Sequence, residues 1–323
     1  MNFLLDNPLA TMYGPYFLIV YGFVILFTLM FLGYAKSRTD QTENLPTPAI
    51  PPNPDPFEIA YLRGGPNELA RSAIFSLLNK KLIEIRTDSD KSSFVPIFAP
   101  GQRPRGLPQI EELTIRWIGG GREADDVFTK GTGLVEHLNA PADVFRGWLE
   151  SQHLLPDPRA EQGFGKWVKL AVFIILGLGI YKFATAMLLG YSDVMFLVVF
   201  GFAGLIIALW IAKMPRITKR GKAYLERLQL AFDDMKYRSQ VPYLKAGSPG
   251  PKVQPAYAGV DPLMLSVGIF GGSILAGTVY DNYNQAFLKS HAQNNSAGGC
   301  GTGCGSSCSS GDGGGGCGGC GGD

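Results

Sequence analysis

Three long runs without an acidic residue constrain this chain more than any other feature. Residues 16–34 and 194–212 carry no charge, and residues 167–189 are interrupted only by Lys169 and Lys182. A bilayer core about 30 Å thick is crossed by about 20 apolar residues of α-helix, so each run has the length of a membrane span. No Lys or Arg precedes the first run and no small-residue cleavage pattern follows it, so a retained helix is expected there rather than a signal peptide. Only Gly190, Tyr191, Ser192 and Asp193 separate the second and third runs, which must then form an antiparallel hairpin.

The basic residues near these runs set the expected orientation. Lys36 and Arg38 follow the first run, Lys166 and Lys169 open the second, and Lys213, Arg216, Lys219, Arg220 and Lys222 follow the third. The opposite ends carry Asp6 and Asp193 and no basic side chain. An integral protein of the inner cell membrane is expected, with the loop 36–165 cytoplasmic and the N-terminus and hairpin tip outside. Lys182, two turns from the outer end of its helix, is a candidate intramembrane charge. Extension of its stem toward the interface is the favoured reading.

Residues 262–279 form a fourth uncharged run, diluted by Gly268, Gly271, Gly272, Ser273 and Gly277. Gly268, Gly272 and Ala276 lie four apart, the small-residue spacing that lets membrane helices approach closely. A fourth span within 261–280 is therefore expected in preference to an apolar hinge. It would carry the C-terminal tail outside.

Between the first two spans the pattern turns globular. Residues 46–56 contain six prolines and read as an extended spacer within a linker over 36–54. A small α+β domain is expected over 55–165. Asp55 can cap a helix with Pro56 at its first position, and Gly64-Gly65-Pro66 breaks that helix. Leu69, Ala73 and Leu77 follow at helical spacing, then strands at 82–85 and 94–98 around a polar turn. Helix, turn, helix and hairpin is a winged-helix outline. Further helices are expected at 109–118, ended by Gly119-Gly120-Gly121, and at 141–152, with Val144, Phe145, Trp148 and Leu149 on one side.

A groove-reading helix would need basic and amide side chains facing nucleic acid. Only Arg71, Asn79, Lys80 and Lys81 qualify, so a protein partner is expected and nucleic acid is not. Segment 214–260 is basic. Counted from Lys213 to Lys252, ten Lys and Arg oppose Glu226, Asp233 and Asp234. Its stripe of Leu225, Leu228, Phe232 and Met235 suits either anionic headgroups or the face of the domain.

The end of the chain is of another kind. Fourteen of the 42 glycines and all five cysteines lie in the last 26 residues. Such a composition buries no core, and residues 290–323 are expected to be disordered. Cys300, Cys304, Cys308, Cys317 and Cys320 admit three readings. They are thiol ligands for a metal or redox centre, a substrate for a modifying enzyme, or a disulfide tether, for which an odd number leaves one thiol over.

Four stretches together carry a resemblance: Ala60-Tyr61-Leu62-Arg63-Gly64-Gly65, Lys80-Lys81-Leu82-Ile83, Arg216-Ile217-Thr218-Lys219-Arg220-Gly221, and the glycines around Cys317 and Cys320. In this order the chain resembles a family of uncharacterised bacterial membrane proteins in which a membrane-embedded domain precedes a low-complexity Gly/Cys tail. The tail also resembles the heterocycle-bearing cores of ribosomally made, modified peptides. The resemblance implies a bacterial membrane location and no particular activity or cofactor.

His137, His153 and His291 are the three histidines, and none stands in a metal-ligand spacing or beside a nucleophile. The expectation is a mainly α, polytopic membrane protein of three to four spans, without enzymatic activity. It would anchor an interaction domain and display a modifiable tail, its partners being the bilayer and a protein or modifying enzyme. A membrane scaffold with a metal-binding or thiol-redox tail is the alternative.

Overall fold

The computed structural model of the chain describes residues 14–40, 42–88, 91–98, 104, 106–188, 195–233, 261–275 and 278–294. It is mainly helical, with one small sheet. Among the described residues three helices are long and apolar enough to cross a membrane: α1 (Gly14–Thr39), α7 (Pro158–Leu188) and α8 (Met195–Ala212). Most of their large apolar side chains face outward, among them Phe27, Phe173 and Trp210. That pattern needs an apolar surrounding, because water would penalise it.

The three helices pack on one another around Phe17, Tyr21, Ile25, Leu32, Ala171, Ile175, Leu197 and Ala208. Their levels match along the bundle. Lys182 lies over the ring of Phe17, Tyr21 reaches Ile175, Phe31 meets Trp167 at 5.3 Å, and Lys36 reaches Ile211. Thus α7 runs against α1 and α8 runs with it. The beginning of α1, the end of α7 and the beginning of α8 share one end of the bundle; the domain occupies the other.

That domain starts where the sequence indicates. Asp55 accepts a hydrogen bond from the Phe57 N–H at 2.9 Å, and Pro56 opens α2 (Pro56–Gly64). Gly65, at φ 77°, turns the chain into α3 (Pro66–Asn79). A hairpin follows, β1 (Ile83–Asp88) and β2 (Lys91–Pro96), paired antiparallel from Ile83↔Pro96 to Asp88↔Lys91. The strands run further into the polar turn than expected. After α4 (Gln109–Ile118), the short β3 (Arg122–Glu123) pairs with β2 through Phe94↔Arg122, giving the order β1-β2-β3. Two helices complete this half, α5 (Leu134–His137) and α6 (Asn139–Ser151).

Four findings depart from the expectations. First, the domain is discontinuous. Its core joins Leu69, Phe75, Leu77, Phe94 and Leu149 to Tyr224, Leu228, Leu265, Ile269, Leu275, Tyr283 and Phe287 from beyond the third long helix. The stripe of α9 (Lys219–Ala231) therefore packs on the domain, which answers the choice between lipid and protein for Leu228 and Phe232; Met235 lies outside the described residues.

Second, the expected fourth span is a core element. Pro262–Phe270 makes a nine-residue helix, α10, only about 14 Å long, and Gly271 at φ 91° ends it. Gly268 does serve close helix approach, but against α2: a Cβ there would come 2.7 Å from the carbonyl oxygen of Pro56. A 3-10 turn (Gly272–Leu275) and α11 (Asp281–Asn294) follow. Without a span here, the ground for placing the tail across the membrane from the domain is lost.

Third, the proline-rich stretch is held along the domain rather than standing free. Ile50 packs on the core, and Arg220 and Arg227 donate to the Pro46 carbonyl at 3.0 Å and the Thr47 hydroxyl at 3.2 Å. Fourth, α6 buries Pro141, Ala142 and Leu149 but leaves Val144 71% and Trp148 45% exposed.

Candidate functional site

Two of the stretches that carry the family resemblance meet in space. Residues 60–65 close α2, and Arg216 stands four residues beyond α8. The Arg216 guanidinium donates to the carbonyls of Tyr61 and Leu62, lies 5.7 Å over the Tyr61 ring, and packs against Gly65. The Tyr61 carbonyl also accepts from the Gly65 N–H at 2.8 Å, whereas Leu62 has no such donor because Pro66 lacks an N–H, and a cation there meets the negative end of the helix dipole. Only glycine suits position 65: its φ is positive, and a Cβ would come 2.6 Å from Arg216 Nη1.

The turn continues into a charged cluster. Glu68, in the first turn of α3, bridges Arg63 and Arg71, the latter at 2.8 Å. The Arg71 guanidinium lies 5.2 Å over Phe128 and 5.4 Å over Phe287, an attraction between a cation and the negative ring faces. Tyr283 donates to the Arg71 carbonyl at 2.7 Å, and burial pushes its phenol well above its ordinary pKa. Arg63 Nε is buried with no hydrogen-bond partner. Burial holds the Arg63 guanidinium below its usual pKa, against the opposing pull of Glu68. This corner ties the α2–α3 turn to α11, the element from which the Gly/Cys stretch departs.

The rest of segment 216–221 fastens the domain to the long helices. Thr218 caps α9 by accepting from the Gly221 N–H at 3.0 Å, and its Oγ1 contacts the carbonyls of His153 (2.8 Å) and Leu154 (3.0 Å). Lys219 pairs with Glu43 at 2.6 Å, and its N–H donates to Asp40 at 2.8 Å. Arg220 donates to the Gln152 carbonyl at 2.7 Å, while Lys36 Nζ donates to the Ile211 carbonyl at the end of α8 (2.9 Å) and to the Lys213 carbonyl just beyond it (2.8 Å). The exits of α1 and α8 and the entry of α7 are thus joined to the domain by directional bonds.

The third stretch is structural. Lys80 donates to both carboxylate oxygens of the buried Glu111 at 2.6 Å, and Ser76 donates to the same group. Lys81 takes φ 56° in the turn that ends α3, with the Leu82 N–H returning to the Leu77 carbonyl at 2.9 Å. Of the side chains weighed for nucleic acid, Asn79 is bonded to Asp261 and Tyr280, Lys80 to Glu111, and Arg71 to Glu68. Three of the four are committed inside the molecule.

The sequence-predicted sites are not brought together. Cys300, Cys304, Cys308, Cys317 and Cys320 lie outside the described residues. Lys182 places Nζ 5.0 Å over the ring of Phe17, one turn from the beginning of α1. Its ammonium therefore sits near the bundle end remote from the domain. His137 Nδ1 is 2.9 Å from the Gly133 carbonyl, His153 takes φ 56° at the end of α6, and His291 belongs to α11. Among the described residues no cluster of three or more His, Cys, Asp or Glu side chains forms a metal-binding group.

One perturbed carboxyl stands apart. Burial, and then the neighbouring Asp55 charge, push Glu58 from 4.5 up to about 7. The arrangement offers mechanical coupling and charge-assisted bonds. Sequence reasoning missed Arg63, Glu68, Arg216 and Tyr283 as partners. The signal that was present is the pairing of Arg with Gly in both the 60–65 and 216–221 stretches. Compared with family models, curated proteins and solved structures, the chain matches none of them.

Proposed function

We propose that this chain is a non-enzymatic bacterial inner-membrane protein that anchors a cytoplasmic interaction domain and presents a Gly/Cys tail to a modifying enzyme. The observation that carries the reading is α11. It is packed through Tyr283, Ala286 and Phe287 into the domain core and ends at Asn294, directly before the Gly/Cys stretch. This packing supports a tail that follows from the domain and stays on the domain's side of the membrane. Basic residues gather at the domain end of the bundle, in Lys36, Arg38, Lys166, Lys169 and Lys213, which makes that side cytoplasmic. In a cytosol that keeps thiols reduced, the five cysteines remain available for enzymatic modification rather than pairing as disulfides.

The test is thiol labelling on the two sides of the membrane, followed by intact mass. In whole cells a membrane-impermeant maleimide leaves the tail unlabelled, in inside-out vesicles it reaches the cysteines that carry no modification, and native protein departs from the sequence mass. Labelling in intact cells would overturn the topology, and five unmodified thiols would overturn the modification.

A further inference from the structure

We infer that α11, the helix before the Gly/Cys stretch, docks on the domain only once α7 and α8 have paired in the membrane, so that insertion of this hairpin switches on presentation of the tail. This inference rests on the membrane and tail readings above. The rings that receive α11 belong to the chain before the hairpin. Tyr283 meets Phe75 at 5.5 Å and donates to the Arg71 carbonyl, and Phe287 meets Phe94 at 5.7 Å and Phe128 at 5.8 Å. Two further elements reach the same half: α9 through Tyr224 and Leu228, and α10 through Gly268 against Pro56. All three helices follow the hairpin in the chain, so each docks only after the chain has returned from it.

The point of return is narrow. The Thr218 N–H donates to the Leu154 carbonyl at 3.2 Å, Thr218 Oγ1 donates to the His153 carbonyl at 2.8 Å, and Arg220 donates to the Gln152 carbonyl. Gly221 crosses so closely that a Cβ would come 2.2 Å from the Leu154 carbonyl oxygen. Leu154 and Thr218 are 64 residues apart. The entropic cost of closing a flexible loop follows the 3/2 power of its length, a factor of roughly 500 for this one. Pairing of α7 with α8 removes that cost. Leu154 lies just before Pro158, Thr218 lies just beyond Ala212, and the two helices pack antiparallel around Ala171, Ile175, Leu197 and Ala208, which keeps their domain-side ends together. Lipid therefore supplies the closure. In water the outward side chains of the hairpin, such as Phe173 and Trp210, would instead compete for the apolar ground that α9, α10 and α11 cover.

The experiment measures amide hydrogen exchange in α11 of the full chain, made by membrane-free translation with or without vesicles of phosphatidylethanolamine and phosphatidylglycerol. With vesicles α11 should exchange more slowly by about tenfold or more, up to roughly 500-fold. Val199→Asp with Ile206→Asp puts two charges on outward-facing positions of α8, opposes insertion and should abolish the difference. A bypass then separates loop closure from general misfolding. In that uninserted variant, with the five tail cysteines changed to Ser, Gln152→Cys and Arg220→Cys joined by a short bis-maleimide should restore slow exchange in α11. Equal protection of α11 with and without vesicles overturns the coupling, as does a cross-linked chain whose α11 stays unprotected. Failure of the natural chain to enter vesicles at all would instead overturn the membrane reading, and a protected α11 beside five unmodified thiols in cells would overturn only the tail reading.

Discussion

The bundle of long helices and the domain beside it solve the same packing problem with different means. In the bundle nearly every side chain is apolar, so hydrophobicity cannot say which face meets which. Position is set by where side chains are missing: Gly179 and Gly201 admit Tyr21, and Gly204 admits Ile25. In the domain, water makes the choice. Apolar faces turn inward around Leu69, Phe75 and Phe94, and charge-assisted bonds such as Arg216 to the end of α2 fix the joints. Small residues specify one region and large ones the other.

The largest effect is expected where the domain closes on its second half. Phe287→Ala removes a ring that meets Phe94, Phe128, Tyr283 and the Arg71 guanidinium, and should cost about 3–5 kcal/mol. Thermal unfolding in detergent would register it, together with faster proteolysis after α9. An unchanged melting temperature would break the picture of one discontinuous domain.

In the bundle the corresponding change adds volume. Gly201→Leu drives a side chain into Tyr21 and should cost about 1–3 kcal/mol, seen as loss of α1 from the bundle while the domain still melts normally. A matched pair then sharpens the contrast. Tyr21 and Tyr283 each donate to a backbone carbonyl, at 2.9 and 2.7 Å. Tyr283→Phe should cost about 1 kcal/mol. Tyr21→Phe should cost about 0.6 kcal/mol, since in lipid the separated helices also find partners. Equal losses would remove the distinction.

Smaller still are the backbone terms. Lys81 and His153 are non-glycine residues at φ 56°, each ending a helix of the domain. Lys81→Gly and His153→Gly should each stabilise by about 0.5–1 kcal/mol, because glycine takes that conformation without steric cost. The last prediction is a slope rather than a shift. Glu58, raised from 4.5 to about 7, keeps its proton in the folded domain over a range where the unfolded chain has released it. Its contribution is full below about pH 4.5 and is lost as pH rises through about 7. Glu58→Gln should flatten the fall in stability over that window, and identical pH profiles for the two proteins would refute the assignment.

Much of the fold was legible. The cap at Asp55-Pro56, the break at Gly64-Gly65 and the bounds of α4 follow from local chemistry that acts within a few residues. The joining of residues 55–155 with 219–294 was not legible, since the two segments are separated by the α7–α8 hairpin. A nine-residue apolar helix reads alike whether its surroundings are lipid or the inside of a protein. Gly268 shows the ambiguity: its spacing signals close helix approach but does not name the partner, which is α2. Val144 and Trp148 fail for the opposite reason: periodicity groups them with Phe145 and Leu149, but only the ridge of Phe145 and Leu149 turns inward. The arginine corner escaped because ion pairs have no period.

By itself, then, the amino-acid order determined which stretches suit an apolar solvent, where helices start and stop, and where the basic residues collect. These are properties of neighbours along the chain. Only the tertiary structure decided that 262–270 belongs to the domain core, that Arg216 seals the end of α2, and that α11 packs into the same core. Each of those depends on which distant surface supplies the burial, and burial has no direction until the elements are packed.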